Sequence, residues 1–171
     1  MRASLFQLAA IALLACSKAT PSPTPEPVAS ATPGGPIADT PAFRAELRAP
    51  GPFKKGEPAS FVIRVEAKAP YHVNDEYPAK FKVSDPGADA GAGVSVKYAE
   101  PKLERNKHAD AFTTEPCAAS SKDACVLNIT VRFTPEASGA VHVGGTVDIG
   151  VCNKDQCLIE KTPLDVSVTV S

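Results

Sequence analysis

Tryptophan is absent, methionine occurs only as Met1, and histidine occurs 3 times in 171 residues. No sign of charge dominates: 18 Lys and Arg stand against 19 Asp and Glu, a formal charge of −1. That balance removes the electrostatic case for nucleic-acid binding. Beyond the first 15 residues there is no long apolar run, which excludes a multi-span membrane protein. A Gly-rich phosphate loop, a nucleophile elbow and a His-Glu-x-x-His pair are all missing. With Met1 in a removable leader and no His–Cys spacing of metal type, neither a copper or zinc site nor any other cofactor is expected. Proline, by contrast, is plentiful at 17 residues, which argues for turns, sheet edges and a linker and against a coiled coil or helical bundle.

The first 15 residues read as an address. Met1 and Arg2 give a short positive start, and residues 5–15 form an apolar core interrupted only by Gln7. That core is too short to span a bilayer and has the length of a signal-peptide core. It closes on Leu13-Leu14-Ala15-Cys16, which resembles the bacterial lipobox, so Cys16 is the expected lipidation site and the domain's link to the membrane. Several acyl chains on one cysteine supply the anchoring that a single chain does not. Ser17, not Asp, follows Cys16, which by analogy with proteobacterial sorting points to the outer membrane, facing the periplasm.

Residues 16–41 alternate Pro with Ser, Thr, Ala and Gly and carry almost no large apolar side chain. Such a segment buries too little surface to fold and is expected to be an extended tether. At about 3.1 Å per residue, roughly 25 residues reach some 80 Å from the lipid.

From residue 42 to 171 the pattern has period 2. Ala59, Phe61, Ile63, Val65 and Ala67 share one parity, as do Leu127, Ile129, Val131 and Phe133, then Val147, Ile149 and Val151. Shorter alternations surround Phe81 and Val83, and Val94, Val96 and Tyr98. Turn chemistry falls at Pro50-Gly51-Pro52, Asp85-Pro86-Gly87, Ser138-Gly139 and Gly144-Gly145. Seven or eight short strands of this kind specify an all-β, two-sheet antiparallel sandwich. Residues 103–124, the least regular, are expected to form a long loop with a short turn of helix.

Setting Cys16 aside leaves Cys117, Cys125, Cys152 and Cys157, and an exported domain favours two disulfides. Three connectivities are formally possible, and local pairing, 117–125 with 152–157, is expected because each pair brackets a short loop. Loop entropy gives about 2.6 and about 2.2 kcal/mol for the two, too close to tell them apart. Parity separates them better. Cys125 is in phase with Leu127 and is expected on the core side, as a structural staple. Cys152 is in phase with Asp148 and Gly150 and belongs to the opposite face, with Asn153-Lys154-Asp155-Gln156 as the hairpin loop that brings Cys157 across from it. On that outer face another thiol is expected to reach the bond, and a Cys157→Ser variant to trap partners through Cys152.

The string Gly150-Val151-Cys152-Asn153-Lys154-Asp155-Gln156-Cys157, followed by Leu158 and Ile159, resembles the redox hairpin of one family. This is the amino-terminal periplasmic domain of the disulfide interchange protein DsbD, together with the related disulfide bond corrector domains. Tyr71-His72-Val73-Asn74 and Phe133-Thr134-Pro135 with Gly139 support it, and the likeness covers residues 43–170. Where family members often carry Pro after the second cysteine, this chain has Leu158-Ile159-Glu160-Lys161. The resemblance implies an immunoglobulin-like fold in which Cys152 and Cys157 relay electrons from a membrane-embedded thiol reductase to periplasmic thioredoxin-like proteins. It also implies an aromatic cap over the pair, for which Tyr71 is the first choice and Tyr77 the second. His72 is the candidate proton donor or acceptor near the hairpin. His108 and His142 read as bland structural residues, His142 on the solvated side of a strand, and Asp75-Glu76 as a solvated pair.

Readings of different classes remain: a redox relay, a lipid-anchored protein-binding sandwich with purely structural disulfides, or a structural lipoprotein. The lipobox reading has its own test. A Cys16→Ala substitution is expected to move the protein from the membrane to the soluble fraction on cell fractionation, and unchanged membrane association would refute it.

Overall fold

The computed structural model describes residues 35–77, 79–84 and 96–171. Cys16, residues 16–34 of the expected tether, Val94 and the Asp85-Pro86-Gly87 turn lie outside the described residues. The strands are β1 (Ile37–Asp39), β2 (Phe43–Arg48), β3 (Ala59–Ala67), β4 (His72–Val73), β5 (Lys80–Val83) and β6 (Val96–Tyr98). They continue with β7 (Lys102–Glu104), β8 (Phe112–Pro116), β9 (Ala124–Pro135), β10 (Gly139–Cys152) and β11 (Cys157–Val170). Among the described residues the one helical element is a 3-10 turn at Ala109–Ala111, and no helix is long and apolar enough to cross a membrane.

The fold is an all-β antiparallel sandwich. One layer runs β1-β2-β3-β9, with β6 and β8 along other stretches of β9; the second runs β11-β10-β5-β7. The two-residue strand β4 joins them, because Val73 pairs with Ala124 of β9 and with Val151 of β10. Alternation dictates the packing: in β2, Phe43, Ala45 and Leu47 are buried while Arg44, Glu46 and Arg48 turn outward.

Phe61 of β3 centres the core. It meets Phe81 of the other layer edge-on at 6.0 Å and 79°, Tyr98 at 6.5 Å and 88°, and Phe133 at 5.8 Å. Such pairs contribute about 0.5–1.5 kcal/mol each beyond area burial. Burial raises the Tyr98 phenol pKa, and its oxygen accepts the Gly144 N–H at 3.3 Å.

Several expectations are corrected. The strands are more numerous than seven or eight, and β9 to β11 run 12, 14 and 14 residues. Residues 103–124 do hold a turn of helix, but also the strand β8. The sheet reaches back into the stretch read as tether, since Asp39 of β1 pairs its carboxylate with Lys68 and Arg44, and the Leu47 N–H donates to Pro36. Those cations hold the Asp39 carboxyl below its usual range, with the Lys68 hydrogen bond the chief cause. Gly144-Gly145 is not a turn but the middle of β10. A Cβ at Gly144 would stand 2.2 Å from the Leu164 carbonyl oxygen, and one at Gly145 2.2 Å from that of Lys82. Glycine is there because β10 is squeezed between β11 and β5, not because the chain reverses.

Cys125 is also not on the core side. It is half-buried, and its neighbour Ala124 is buried instead. The β8–β9 register slips at this point, Glu115 pairing with Val126 and Pro116 with Ala124, so the bulge interrupts the parity carried back from Leu127.

Two outcomes follow. Gly145→Ala is expected to lose about 1–3 kcal/mol by overpacking, read from urea denaturation, whereas Gly35→Ala, with nothing within 4 Å, leaves stability unchanged. Lys102 and Lys107, both at 2.5 Å, hold the Glu104 carboxyl from 4.5 down to about 2. A carboxylate so depressed stabilises the fold fully above pH 4.5, and that contribution is lost as pH falls through about 2. Glu104→Gln is therefore expected to flatten the fall of the urea midpoint across that window.

Candidate functional site

Both local disulfides are present, Cys117–Cys125 and Cys152–Cys157, with Cα separations of 4.5 and 4.0 Å. The first closes the loop before β9, where the Cys117 N–H donates to the Asp123 carbonyl at 2.9 Å. Among the described residues no side chain donates a hydrogen bond to its sulfurs.

The second occupies the last of 14 register pairs between β10 and β11. Asn153 shapes the connecting loop: its Oδ1 accepts the N–H groups of Asp155 and Gln156, each at 2.9 Å, and its own N–H donates to the Gln156 carbonyl at 2.9 Å. On the other side of β10, His72 of β4 lies directly opposite Cys152. Residues opposite one another in antiparallel strands share a face, so His72, Cys152 and Cys157 form one row across three strands. The next row, Val73, Val151 and Leu158, points into the core.

The face expected for Cys152 is therefore the face observed, but its exposure is not. Cys152 is 5% exposed, while Cys157 is open to solvent. Residues 74–77 fold over the outer side of β10 and account for the difference. Gly150, two residues before Cys152 and of the same parity, leaves room for Tyr77, whose Cβ would lie 2.8 Å from a Cβ there. Asn74 is anchored by its N–H to the Gly150 carbonyl at 2.9 Å. Its side-chain Nδ2 donates to Cys152 Sγ at 2.9 Å and sits 3.7 Å from Cys157 Sγ. Asp75 of the same segment pairs with Arg105 at 2.8 Å.

Tyr71 reaches the hairpin from before β4, its hydroxyl accepting Gln156 Nε2–H at 3.1 Å. Tyr71 thus meets the hairpin loop at Gln156, Tyr77 lies over Gly150, and His72 is the register partner of Cys152. The other histidines are elsewhere: His108 Nδ1 accepts the Glu104 N–H at 3.1 Å, and His142, exposed, contacts Asp165 at 2.7 Å. Among the described residues no group of three or more His, Cys, Asp or Glu side chains is placed to hold a metal ion. Asn74 and Gln156 carry no motif of their own. Asn74 followed by two acidic residues signals a side-chain-capped turn, but its approach to residues 78 positions later in the chain depends on strand pairing.

No family model and no curated protein matches the chain. Among solved structures it is similar to the cohesin module of a family 33 glycoside hydrolase from Clostridium perfringens, at 11% identity over 77% of this chain and 98% of that one, TM-score 0.42. It is also similar to AggA, the major subunit of aggregative adherence fimbriae type I from Escherichia coli, at 13% identity over 78% and 98%, TM-score 0.34. A third likeness is to the ASH/PapD-like domain of human CEP192, at 13% identity over 80% and 92%, TM-score 0.30. At these values no function carries across.

Proposed function

We propose that the domain is a thiol–disulfide exchange module whose working pair is Cys152 and Cys157, in the manner of the amino-terminal domain of DsbD. The observation that carries this reading is the asymmetry of the bond: Cys157 is exposed at the open end of a hairpin, and Cys152 is covered and receives the shorter of the two Asn74 Nδ2–H contacts, 2.9 Å against 3.7 Å. Among the described residues the Cys117–Cys125 bond has no such donor, and it ties a loop to a bulged strand, which suits a staple.

In this reading a dithiol partner presents a thiolate to Cys157 Sγ, because Cys152 is shielded. A partner–Cys157 disulfide forms, the Cys152–Cys157 bond breaks, and its electron pair stays on Cys152 Sγ. The partner's second thiolate then attacks its own sulfur in the mixed disulfide and releases Cys157. The partner ends as a disulfide and the domain as a dithiol, two electrons and two protons having moved. Oxidation by a thioredoxin-like disulfide runs the same steps in reverse. In this reading the trapping sulfur is Cys157, in place of the trapping through Cys152 expected from the sequence. A lipid on Cys16 and the Pro-rich tether would hold the module near a membrane-embedded reductase in the periplasm.

In graded thiol/disulfide buffers one disulfide is expected to reduce reversibly while the fold persists, at a potential well above about −300 mV. Resistance of both bonds until unfolding would refute the relay. A Cys152→Ser variant is expected to collect mixed disulfides through Cys157 far more readily than Cys157→Ser does through Cys152, read on non-reducing gels.

A further inference from the structure

We propose that Asn74 is a catalytic residue of this exchange, its carboxamide N–H group stabilising the Cys152 thiolate released when Cys157 is attacked; the proposal rests on the exchange reading above. An amide presents either its oxygen or its nitrogen to a neighbour, and hydrogen bonding decides which. Here the oxygen is committed: Asn74 Oδ1 accepts the N–H of Glu76 at 2.7 Å and that of Tyr77 at 3.1 Å. Nδ2 therefore has to face the sulfurs, 2.9 Å from Cys152 and 3.7 Å from Cys157. The backbone is pinned as well, through the Asn74 N–H to Gly150. None of these anchors involves the disulfide, so the donor keeps its position when the bond opens.

The effect on the step is electrostatic. When partner thiolate and Cys157 Sγ bond, charge appears on Cys152 Sγ, on a nearly buried residue where an unaided thiolate is costly. A donor already aimed at the sulfur favours the charged form without reorganisation. A leaving thiol of lower pKa leaves faster. The donor is nearer the covered sulfur than the open one, so it favours attack at Cys157 over attack at Cys152. The titratable and charged groups of the elements packed about Cys152 are His72 opposite it in β4, Tyr71 before that strand, Asp75, Glu76 and Tyr77 in the covering segment with Arg105 behind Asp75, and Lys154 and Asp155 in the hairpin loop. Asp75 is already paired with Arg105.

Two variants together separate this role from a structural one: the neutral Asn74→Ser, and Asn74→Asp, whose added carboxylate also raises a nearby thiol pKa by its own charge. Asn74→Asp keeps an oxygen for the Glu76 and Tyr77 N–H groups, so the turn is retained, but replaces the donor with an anion. In a Cys157→Ser background of the full chain, the thiolate absorbance of Cys152 near 240 nm is read against the variant lacking both cysteines. Its midpoint is expected to rise by about one pH unit or more in Asn74→Asp. With both cysteines present, dithiothreitol is expected to reduce the Cys152–Cys157 bond about threefold more slowly, for a leaving-group sensitivity of ~0.4–0.5, the order seen for attacking thiols. Asn74→Ser, which leaves a shorter hydroxyl for the turn and withdraws the amide from the sulfur, is read beside it, and alone if the aspartate variant does not fold, with the same direction expected. An unmoved midpoint in a folded Asn74 variant overturns the proposal. The midpoint needs no exchange partner, so failure of the native bond to reduce in the folded protein would strike the exchange reading separately.

Discussion

The β10–β11 ladder is the constraint on which the rest depends. Its 14 pairs run unbroken from Gly139 opposite Val170 to Cys152 opposite Cys157. Val141, Val143, Val147, Ile149 and Val151 on one strand, and Leu164, Val168 and Val170 on the other, are buried. A slip of one residue would turn that whole apolar set to the outer face, so the hydrophobic effect fixes the register. The register in turn sets two sulfurs side by side at the end of the ladder. The geometry of the disulfide is thus a product of core packing along the strands, and the bond adds only the final rung.

The same strands carry the contrast between the two bridges. Cys117–Cys125 sits where pairing is irregular and closes a loop that the β8–β9 ladder leaves unsupported. Cys152–Cys157 sits where the ladder is already complete, and the covering segment distinguishes its two sulfurs by access and by hydrogen bonding. Under the proposed exchange, opening the bond at the end of this ladder removes no strand pair behind it.

Much of this was legible in the sequence. Period-2 alternation located β3 over Ala59–Ala67 and the apolar faces of β9 and β10, because each has one side against the core. Parity also assigned Cys152 to its correct face. It failed at Cys125, where a bulge inserts a residue, and at Gly144-Gly145, where glycine answers to crowding between strands. It could not give exposure: whether an outward residue is wet depends on what folds over it, and residues 74–77 lie 75 or more positions away in the chain from Cys152. Asn74 and Gln156 were invisible as site residues for the same reason, since each gains its partner through the third dimension.

The stretch of β10 between Gly145 and Cys152 has a length that admits no tolerance. Its first residue is wedged against β5 and its last is joined to β11, so both ends are fixed to different neighbours. Inserting or deleting one residue would invert Cys152 into the interior and expel Val151. Changing the length by two would keep the orientation but set the sulfur opposite Ile159 or beyond the hairpin altogether. Spacing here acts as a gauge that accepts one value, and relatives of this domain are best sought by that interval between glycine and cysteine as well as by the cysteine pair.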